Sequence, residues 1–246
     1  MTGRPATDGT PRERLLQAAR DVVADDGLEG LTLRAIARRA GVSHGAPLRH
    51  FPTLAALLAA VAADGFIRLI DAVDAYIAAA DESARAAGTT VDARQRVAIA
   101  ARAYVDTALA DPGVFSVTFR PERVDVDDAA YQLHGFASFQ QLVDLVEAAQ
   151  ADGWQPDQPS LDLAAVLWSH VHGLAVLAVH GALPAVVGEG ATARLAALSA
   201  LMTLGVEPVF VPDATPEPPE SPWPPAPAGT GAGPDTSAVA HEGDPR

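Results

Sequence analysis

The chain of 246 residues contains neither cysteine nor lysine. The absence of cysteine excludes disulfide bonds, thiolate zinc sites and cysteine catalysis, and it is typical of a cytoplasmic protein. No apolar run reaches the length of a membrane span, because histidines interrupt the longest candidate, residues 163–183. The N-terminal MTGRPATDGTPRER also lacks the apolar core of a secretory signal. We therefore expect a cytoplasmic protein that does not enter a membrane.

Positive charge is scarce and unevenly placed. The 17 strongly basic residues are all arginine, they face 31 acidic residues, and the formal net charge is −14. Residues 1–54 nevertheless hold eight arginines and six acidic residues, a balance of +2, whereas the remainder has a balance of −16. This partition favours a DNA-binding surface on the N-terminal segment and disfavours one elsewhere.

Strand-like alternation is almost absent. It occurs only in RVDVDD, residues 123–128, which is too short and too acidic for a core strand. Residues 11–206 instead place apolar side chains at spacings of three and four, which predicts an all-α fold. Helix-start signals stand at Pro11, at Thr32, after Phe51, near Asp92, at Asp111 with Pro112, near Ala129, at Ser160 as a cap, and near Gly190.

The two ends of the chain differ in composition from the middle. Residues 207–246 contain eleven prolines and few aliphatic side chains. Such a segment cannot bury enough apolar surface to offset its ordering entropy. We predict disordered ends at 1–10 and 207–246, a small N-terminal domain at 11–54, called the head below, and a larger helical bundle at 55–206. The Pro-rich tail is either a spacer or a polyproline II segment that binds a partner.

The stretch AGVSHGAPLRHF, residues 40–51, follows an amphipathic helix and a glycine turn, an arrangement typical of a helix-turn-helix. Val42, with Leu48 or Phe51, is expected to anchor the second helix. With Ser43 as N-cap, Pro47 would be the fourth helical residue and would forfeit a backbone bond. If the helix begins near Ala46, Pro47 stands at its first position, where proline is favoured. We predict a short recognition helix whose first turn is loose or 3₁₀.

Residues 15–61 resemble the DNA-binding domain of a known protein family. The segment LLQAARDVVADDGLEGLTLRAIARRAGVSHGAPLRHFPTLAALLAAV, residues 15–61, resembles the N-terminal domain of the TetR family of bacterial repressors. Its opening amphipathic helix, Gly27, Thr32, IA..AGVS and HF stand at the spacing of that family. The resemblance implies an all-helical homodimer with one DNA-binding head per chain, and two heads would bind a two-fold-symmetric operator.

The same resemblance assigns roles in the head. It implies a DNA-facing recognition segment and phosphate or groove contacts at the start of the preceding helix. The recognition residues are Ser43, His44, Gly45, Leu48, Arg49 and His50, and the preceding contacts are Thr32 and Arg34. Arg49 has the chemistry for a bidentate pair with guanine or a phosphate grip, and Thr32 offers a hydroxyl at a positive helix end.

Two positions depart from the family pattern. Leu48 stands where the family often has an aromatic residue, and it either contacts DNA or packs against the head. Leu54 stands where a lysine is frequent. Both departures remove a phosphate contact, so we expect weaker nonspecific binding and a shallower salt dependence.

The larger domain shows a second resemblance. LWSHVHGLAVL, residues 167–177, and DPGVFSVTFRPE, residues 111–122, are similar to a TetR subgroup named for its Trp-His-Gly motif. In that family this domain binds a small-molecule effector and supplies the dimer interface. The predicted ligand-lining residues are Tyr104, Phe115, Phe119, Phe136, Phe139, Trp168 and His172, with His134 and His170 as further polar candidates. For each aromatic, packing in the core is the alternative. Gly173 and Gly181 are expected in a close helix contact of the dimer.

The resemblance implies a repressor whose effector moves the long helix after Pro52 and so changes the separation of the two recognition helices.

An enzyme is disfavoured because the chain has no glycine-rich phosphate loop, no metal-ligand spacing and no nucleophile elbow. His170 and His172 are two residues apart, point to different helix faces and do not form a two-histidine metal site. We expect no cofactor and no catalytic residue. A helical adaptor that uses the Pro-rich tail is the remaining alternative.

Overall fold

The computed structural model describes residues 10–43, 45–188 and 191–205. Every regular element in these ranges is helical, so the predicted all-α fold is confirmed. The helices are α1 (Pro11–Asp26), α2 (Leu33–Arg39), α3 (Pro47–His50), α4 (Leu54–Ala86), α5 (Ala93–Ala110), α6 (Pro112–Thr118), α7 (Ala129–Ala151), α8 (Ser160–Val179), α9 (Ala182–Val187) and α10 (Ala191–Leu204), with a 3₁₀ turn at Leu28–Gly30. The predicted disordered ends lie outside the described residues, apart from Thr10.

Local capping explains where the helices begin. Thr10 caps α1 in a reciprocal box: its hydroxyl accepts from the Glu13 N–H, and the Glu13 carboxylate accepts from the Thr10 N–H. Asp92 and Asp111 cap α5 and α6 through their carboxylates, as predicted. The prediction that Ser160 caps α8 is wrong. Ser160 is the first helical residue, and its hydroxyl instead donates to the side-chain oxygen of Gln150 on α7, at 2.8 Å.

Helix α8 is more apolar than its histidines suggest. Its mean hydropathy of 1.5 over an 18-residue window makes it long and apolar enough, by length and composition alone, to cross a membrane. The expectation that no segment passes this test was wrong, because histidines lower the mean less than charged residues do. Only 17% of the window is buried within the chain. One face packs on α5 and α7 through Ala164 and Ala175, and the opposite face carries exposed Val166 and Leu177.

One apolar core joins the head to the rest of the chain. It is built from α1, α2, the first turns of α4, and α6; its most buried members include Leu15, Val22, Ile36, Leu57 and Val117. The predicted boundary at residue 54 coincides with the first residue of α4, which then continues without a break to Ala86. The head therefore shares a helix and a core with the larger domain.

A second core holds the larger domain together. Buried residues of α4, α5 and α8 form it, with partly buried side chains of α7 packed alongside. Leu69, Tyr76, Ala103 and Val105 are at most 8% exposed there. Tyr76 also donates its hydroxyl to the Asp106 carboxylate at 3.0 Å, which ties α4 to α5 by a polar bond at the edge of this core. The long helix α4 thus contributes one end to each core.

Helix α6 packs closely against α1 and α4 at two glycine positions. A Cβ on Gly65 of α4 would lie 2.4 Å from Thr118 Oγ1 and 3.0 Å from Val114 Cγ1. A Cβ on Gly113 of α6 would lie 2.7 Å from Val23 Cγ1 of α1. Separations this short are below van der Waals contact, so only glycine permits these two approaches.

We predict that Gly65→Ala destabilises the protein by about 1–3 kcal/mol, because overpacking at α6 outweighs the gain in helix propensity. The measurement is urea unfolding of the full chain at one fixed protein concentration. The double variant Gly65→Ala/Thr118→Ala is the control, since it removes the atom nearest to the new methyl group. Its destabilisation should be smaller than the sum of the two single effects. A Gly65→Ala protein more stable than the original would show that α4 and α6 do not constrain each other here.

Candidate nucleic-acid interface and ligand cavity

The turn between α2 and α3 is built as a helix-turn-helix requires. The Thr32 hydroxyl accepts from the Ala35 N–H at 3.1 Å and caps α2. Gly41 has φ +65°, a left-handed conformation that favours glycine, and it reverses the chain. The Val42 N–H then bonds to the Ala37 carbonyl at 3.1 Å, while the Val42 side chain packs against the core of the head. The next helix is therefore held at a defined angle to α2.

Helix α3 begins at Pro47, as predicted, with Ala46 as its N-cap. Two hydrogen bonds between residues three apart in sequence form the start of this helix. The Ala46 N–H donates to the Ser43 carbonyl at 2.9 Å, and the Arg49 N–H donates to the Ala46 carbonyl at 3.2 Å. These bonds are of the 3₁₀ type, so the predicted 3₁₀ first turn is confirmed. Pro47 is fully buried and serves as the inner face of this short helix.

The predicted recognition residues that the structure describes are all on the outside. Ser43, Gly45, Arg49 and His50 are exposed, as are Thr32 and Arg34 on α2. His44 lies outside the described residues. Leu48 is 58% exposed, so the alternative that it packs against the head is wrong. Phe51, 4% exposed, anchors the segment instead, and the Arg12 guanidinium lies over its ring at 5.2 Å.

The cations of this surface differ in their partners. Arg39 forms an ion pair with Asp25. This pair links α2 to α1 and compensates the charge of the Arg39 guanidinium. Arg34, Arg38 and Arg49 form no ion pair with any residue of the described ranges. Arg38 was not singled out from the sequence, although its helical position beside Arg34 and its exposure place it on the same side of the molecule. Helices α2 and α3 thus present three guanidinium groups without an acidic partner among the described residues.

A cavity of about 550 Å³ lies in the larger domain. Its walls come from α4, α5, α7, α8 and α10, together with Phe119 at the end of α6. Six of the seven predicted ligand residues line it: Tyr104, Phe119, Phe136, Phe139, Trp168 and His172. Phe115 does not line it and borders a separate void of about 30 Å³. Of the two further histidine candidates, His170 lines the cavity and His134 does not.

Phe119 is at the centre of the aromatic wall. Its ring centroid is 4.8 Å from that of His172, 5.1 Å from that of Phe115 and 5.6 Å from that of Phe66. These separations are those of edge and tilted aromatic pairs. Phe115 therefore stabilises Phe119 from behind, in the packing role that the sequence left as the alternative.

A neutral polar centre lies beside these rings. The Tyr104 hydroxyl and His172 Nδ1 are 2.7 Å apart, and the Trp168 indole N–H donates to the Tyr104 oxygen at 3.3 Å. Burial raises the pKa of Tyr104 far above its usual value and lowers the pKa of His172. Both side chains are therefore uncharged at neutral pH. Since the Tyr104 oxygen accepts from Trp168, we assign its proton to the bond with His172 Nδ1.

Phe66, Tyr131 and Gln141 are three of the cavity residues that sequence reasoning missed. Phe66 lies in the apolar run of α4, where its position indicates only a buried face, and Tyr131 and Gln141 lie on α7, whose apolar residues show weak periodicity. Phe66 contacts both Phe119 and Tyr131 ring to ring. These side chains reach the cavity because α7 packs against α4, and a local sequence pattern does not predict a contact between two such distant helices.

Two family profiles match the chain. The one described as bacterial regulatory proteins, tetR family, matches residues 15–61, and the one described as tetracyclin repressor-like, C-terminal domain, matches residues 97–201. Among curated proteins, the HTH-type transcriptional repressor Rv3405c of Mycobacterium tuberculosis is 45% identical over 69 residues, which cover 25% of this chain and 37% of that protein. The match therefore spans little more than a third of the relative's length.

Solved structures extend the similarity over most of the chain. A protein of unknown function from Rhodococcus sp. RHA1 is 32% identical with a TM-score of 0.67, covering 82% of this chain and 98% of that one. A tetR-family bacterial regulatory protein from Rhodococcus RHA1 is 20% identical, with a TM-score of 0.60 over 83% of this chain and all of that one, and it shares the fold. Together these matches point to a DNA-binding regulator rather than an enzyme, and the chain belongs to the TetR family of transcriptional regulators.

Proposed function

We propose that the protein is a cytoplasmic repressor that binds a two-fold-symmetric operator as a homodimer and leaves it when a small molecule enters the cavity. The observation that carries this proposal is a single chain with two separate sites. An exposed cationic helix-turn-helix stands at one end, and an aromatic cavity of about 550 Å³ lies in the other domain. Helix α6 contacts α1 of the head, and its sequence neighbour Phe119 lines the cavity.

In the proposed complex, α3 lies in the major groove with its exposed face toward the bases. Arg49 is exposed and has no acidic partner among the described residues, so it is available for a guanine edge or a phosphate. Thr32 stands at the start of α2, where its hydroxyl and the helix dipole suit a phosphate. Leu48 offers an apolar contact, for example with a thymine methyl group, and gives no hydrogen bond to phosphate. His44 remains a proposed contact outside the described residues.

Replacing Arg49 should weaken specific binding by about ten- to a hundredfold, the range expected for losing one bidentate base contact. The test is a gel-shift titration of Arg49→Ala against an operator selected from a random-sequence DNA library. The matched control is Arg85→Ala, which removes the same charge from an exposed site about 45 Å along α4. Arg85→Ala should bind as the original protein does. Equal loss in both variants, or full affinity in Arg49→Ala, contradicts the proposed interface.

The dimer is proposed to form on the exposed face of α8. Val166, Gly173 and Leu177 lie on this face at helical spacings of seven and four. The two aliphatic side chains are 54% and 48% exposed, and a Cβ on Gly173 would meet no described atom within 4 Å beyond the neighbouring backbone of its own helix. Burial of each such aliphatic side chain contributes about 1.5–3 kcal/mol. A second copy would cover the surface that makes α8 resemble a membrane helix.

Introducing a charge on this face should dissociate the dimer. We expect Leu177→Glu to be monomeric by size-exclusion chromatography with light scattering, because the new carboxylate would be buried without a partner. Leu109→Glu provides the comparison, since Leu109 is an apolar residue that is 40% exposed on a different helix, α5. That variant should keep the mass of the original dimer. A monomeric original protein, or a dimeric Leu177→Glu, argues against the proposed arrangement.

The proposed signal passes through α6. Thr118 and Phe119 line the cavity at the C-terminal end of this helix, while Gly113 abuts Val23 of α1 near its N-terminal end. A ligand that displaces the Phe119 ring must therefore move α6 against α1 or against Gly65 of α4. Such a movement changes the separation of the two α3 helices in the dimer. A coupling of about 1–3 kcal/mol between ligand and DNA is typical of such systems.

A further inference from the structure

The cavity wall carries no charged side chain among the described residues. Its lining contains aromatic, aliphatic, amide, hydroxyl and imidazole groups, but no arginine, aspartate or glutamate. This is unusual in a chain with 17 arginines and 31 acidic residues. A ligand that carries a formal charge would find no counterion there.

Several amide and hydroxyl groups of the wall already donate to protein partners. The Gln141 amide donates to Asp74 Oδ1 at 2.8 Å and to the Ile70 carbonyl at 3.3 Å. The Thr118 hydroxyl donates to the Val114 carbonyl at 2.8 Å within its own helix. A carboxylate or phosphate would have to break such bonds to gain donors, so these groups do not form an anion site.

A further polar centre of the wall is the Tyr104, His172 and Trp168 cluster, and burial keeps its two titratable members uncharged at neutral pH. It therefore pairs with neither a cation nor an anion by formal charge. Transfer of a charged group from water into such surroundings is costly unless a counterion compensates it. The cluster instead suits a hydroxyl, ether or carbonyl group on the ligand.

A cationic ligand is the strongest rival, because aromatic faces attract cations. Phe119, Phe139 and Trp168 would supply such faces. However, ring faces offset only part of the hydration that an ammonium group loses on burial. The acidic group that would offset the rest is absent from the described lining: the nearby Asp74 is outside the wall and already accepts from Gln141.

We infer that the effector is an uncharged, largely aromatic or aliphatic molecule with few hydrogen-bonding groups. This inference rests on the proposed function only in calling the bound molecule an effector; the binding preference stands on the cavity itself. The cavity volume lies in the range that accommodates drug-sized ligands. Recognition is then by shape and aromatic contact, with the Tyr104 cluster as the polar contact.

Three probes with one carbon skeleton test the preference at neutral pH: 4-hydroxymethylbiphenyl, biphenyl-4-carboxylate and the ammonium form of 4-aminomethylbiphenyl. Each displaces the neutral fluorescent probe N-phenyl-1-naphthylamine from the full-length protein. The alcohol should bind at least about tenfold more tightly than either ion, since the ions lose hydration without compensation. A ratio below tenfold for either ion overturns the inference, and so does a complete lack of saturable binding by the fluorescent probe.

A substitution inside the cavity shows that the probes bind there. Ser138 is half-buried on α7 and lines the wall. Ser138→Arg should reverse the order and favour the carboxylate, whereas the uncharged control Ser138→Leu should keep the carboxylate weaker than the alcohol. Circular dichroism and operator binding check that both variants fold. Unchanged preference in a folded Ser138→Arg protein shows that the probes bind elsewhere and overturns the assignment.

Failure of this inference is distinguishable from failure of the proposed function. If a charged probe binds best and releases the operator, the protein is a ligand-responsive repressor with a different effector class. If the alcohol binds best but no specific operator is found, the cavity preference holds and the repressor assignment fails. The gel-shift titration and the displacement titration therefore decide the two statements separately.

Discussion

Two glycine contacts of α6, one through Gly65 of α4 and one through its own Gly113, are the constraint on which the arrangement of the two domains depends. Gly113 brings α6 against Val23 of α1, and Gly65 brings α4 against Thr118 of α6. Because neither contact has space for a methyl group, α6 cannot slide without moving one of its neighbours. The cavity wall at Phe119 follows directly from α6, so the position of the ligand site relative to the head is set by the same two contacts.

An ion-pair chain reinforces this packing. Arg20 of α1 pairs with Asp64 of α4, which also accepts from Arg68 at 3.2 Å, and Arg68 lies 3.6 Å from the Asp111 carboxylate that caps α6. Burial, followed by repulsion from Arg68, lowers the pKa of Arg20 to about 10, so it stays charged at neutral pH. A buried charge contributes little net stability, but moving it from its partner is costly. This series of ion pairs therefore favours one relative orientation of α1, α4 and α6.

Sequence patterns correctly predicted features that depend on residues close together in the sequence. Start signals at Pro11, Asp92 and Asp111 correctly predicted where α1, α5 and α6 begin, and Pro47 at a first helical position correctly predicted a shortened α3. Contacts between distant segments were harder to predict: Phe66 joins the cavity wall only because α7 packs on α4, and Phe115 lies behind Phe119 instead of facing the cavity. The recognition and ligand roles stay predictions, because exposure and cavity lining do not measure binding.

The distribution of charge limits how the two sites can communicate. Uncompensated arginines stand on the head, while the described cavity wall is neutral. An uncharged effector adds no field that the DNA-binding surface could sense across the length of α4, and salt would screen one over such a distance. In the proposed repressor, communication between the cavity and the head is then mechanical, through atoms already in contact. The two glycine contacts of α6 meet that requirement, because a contact at van der Waals distance transmits a displacement to its neighbour.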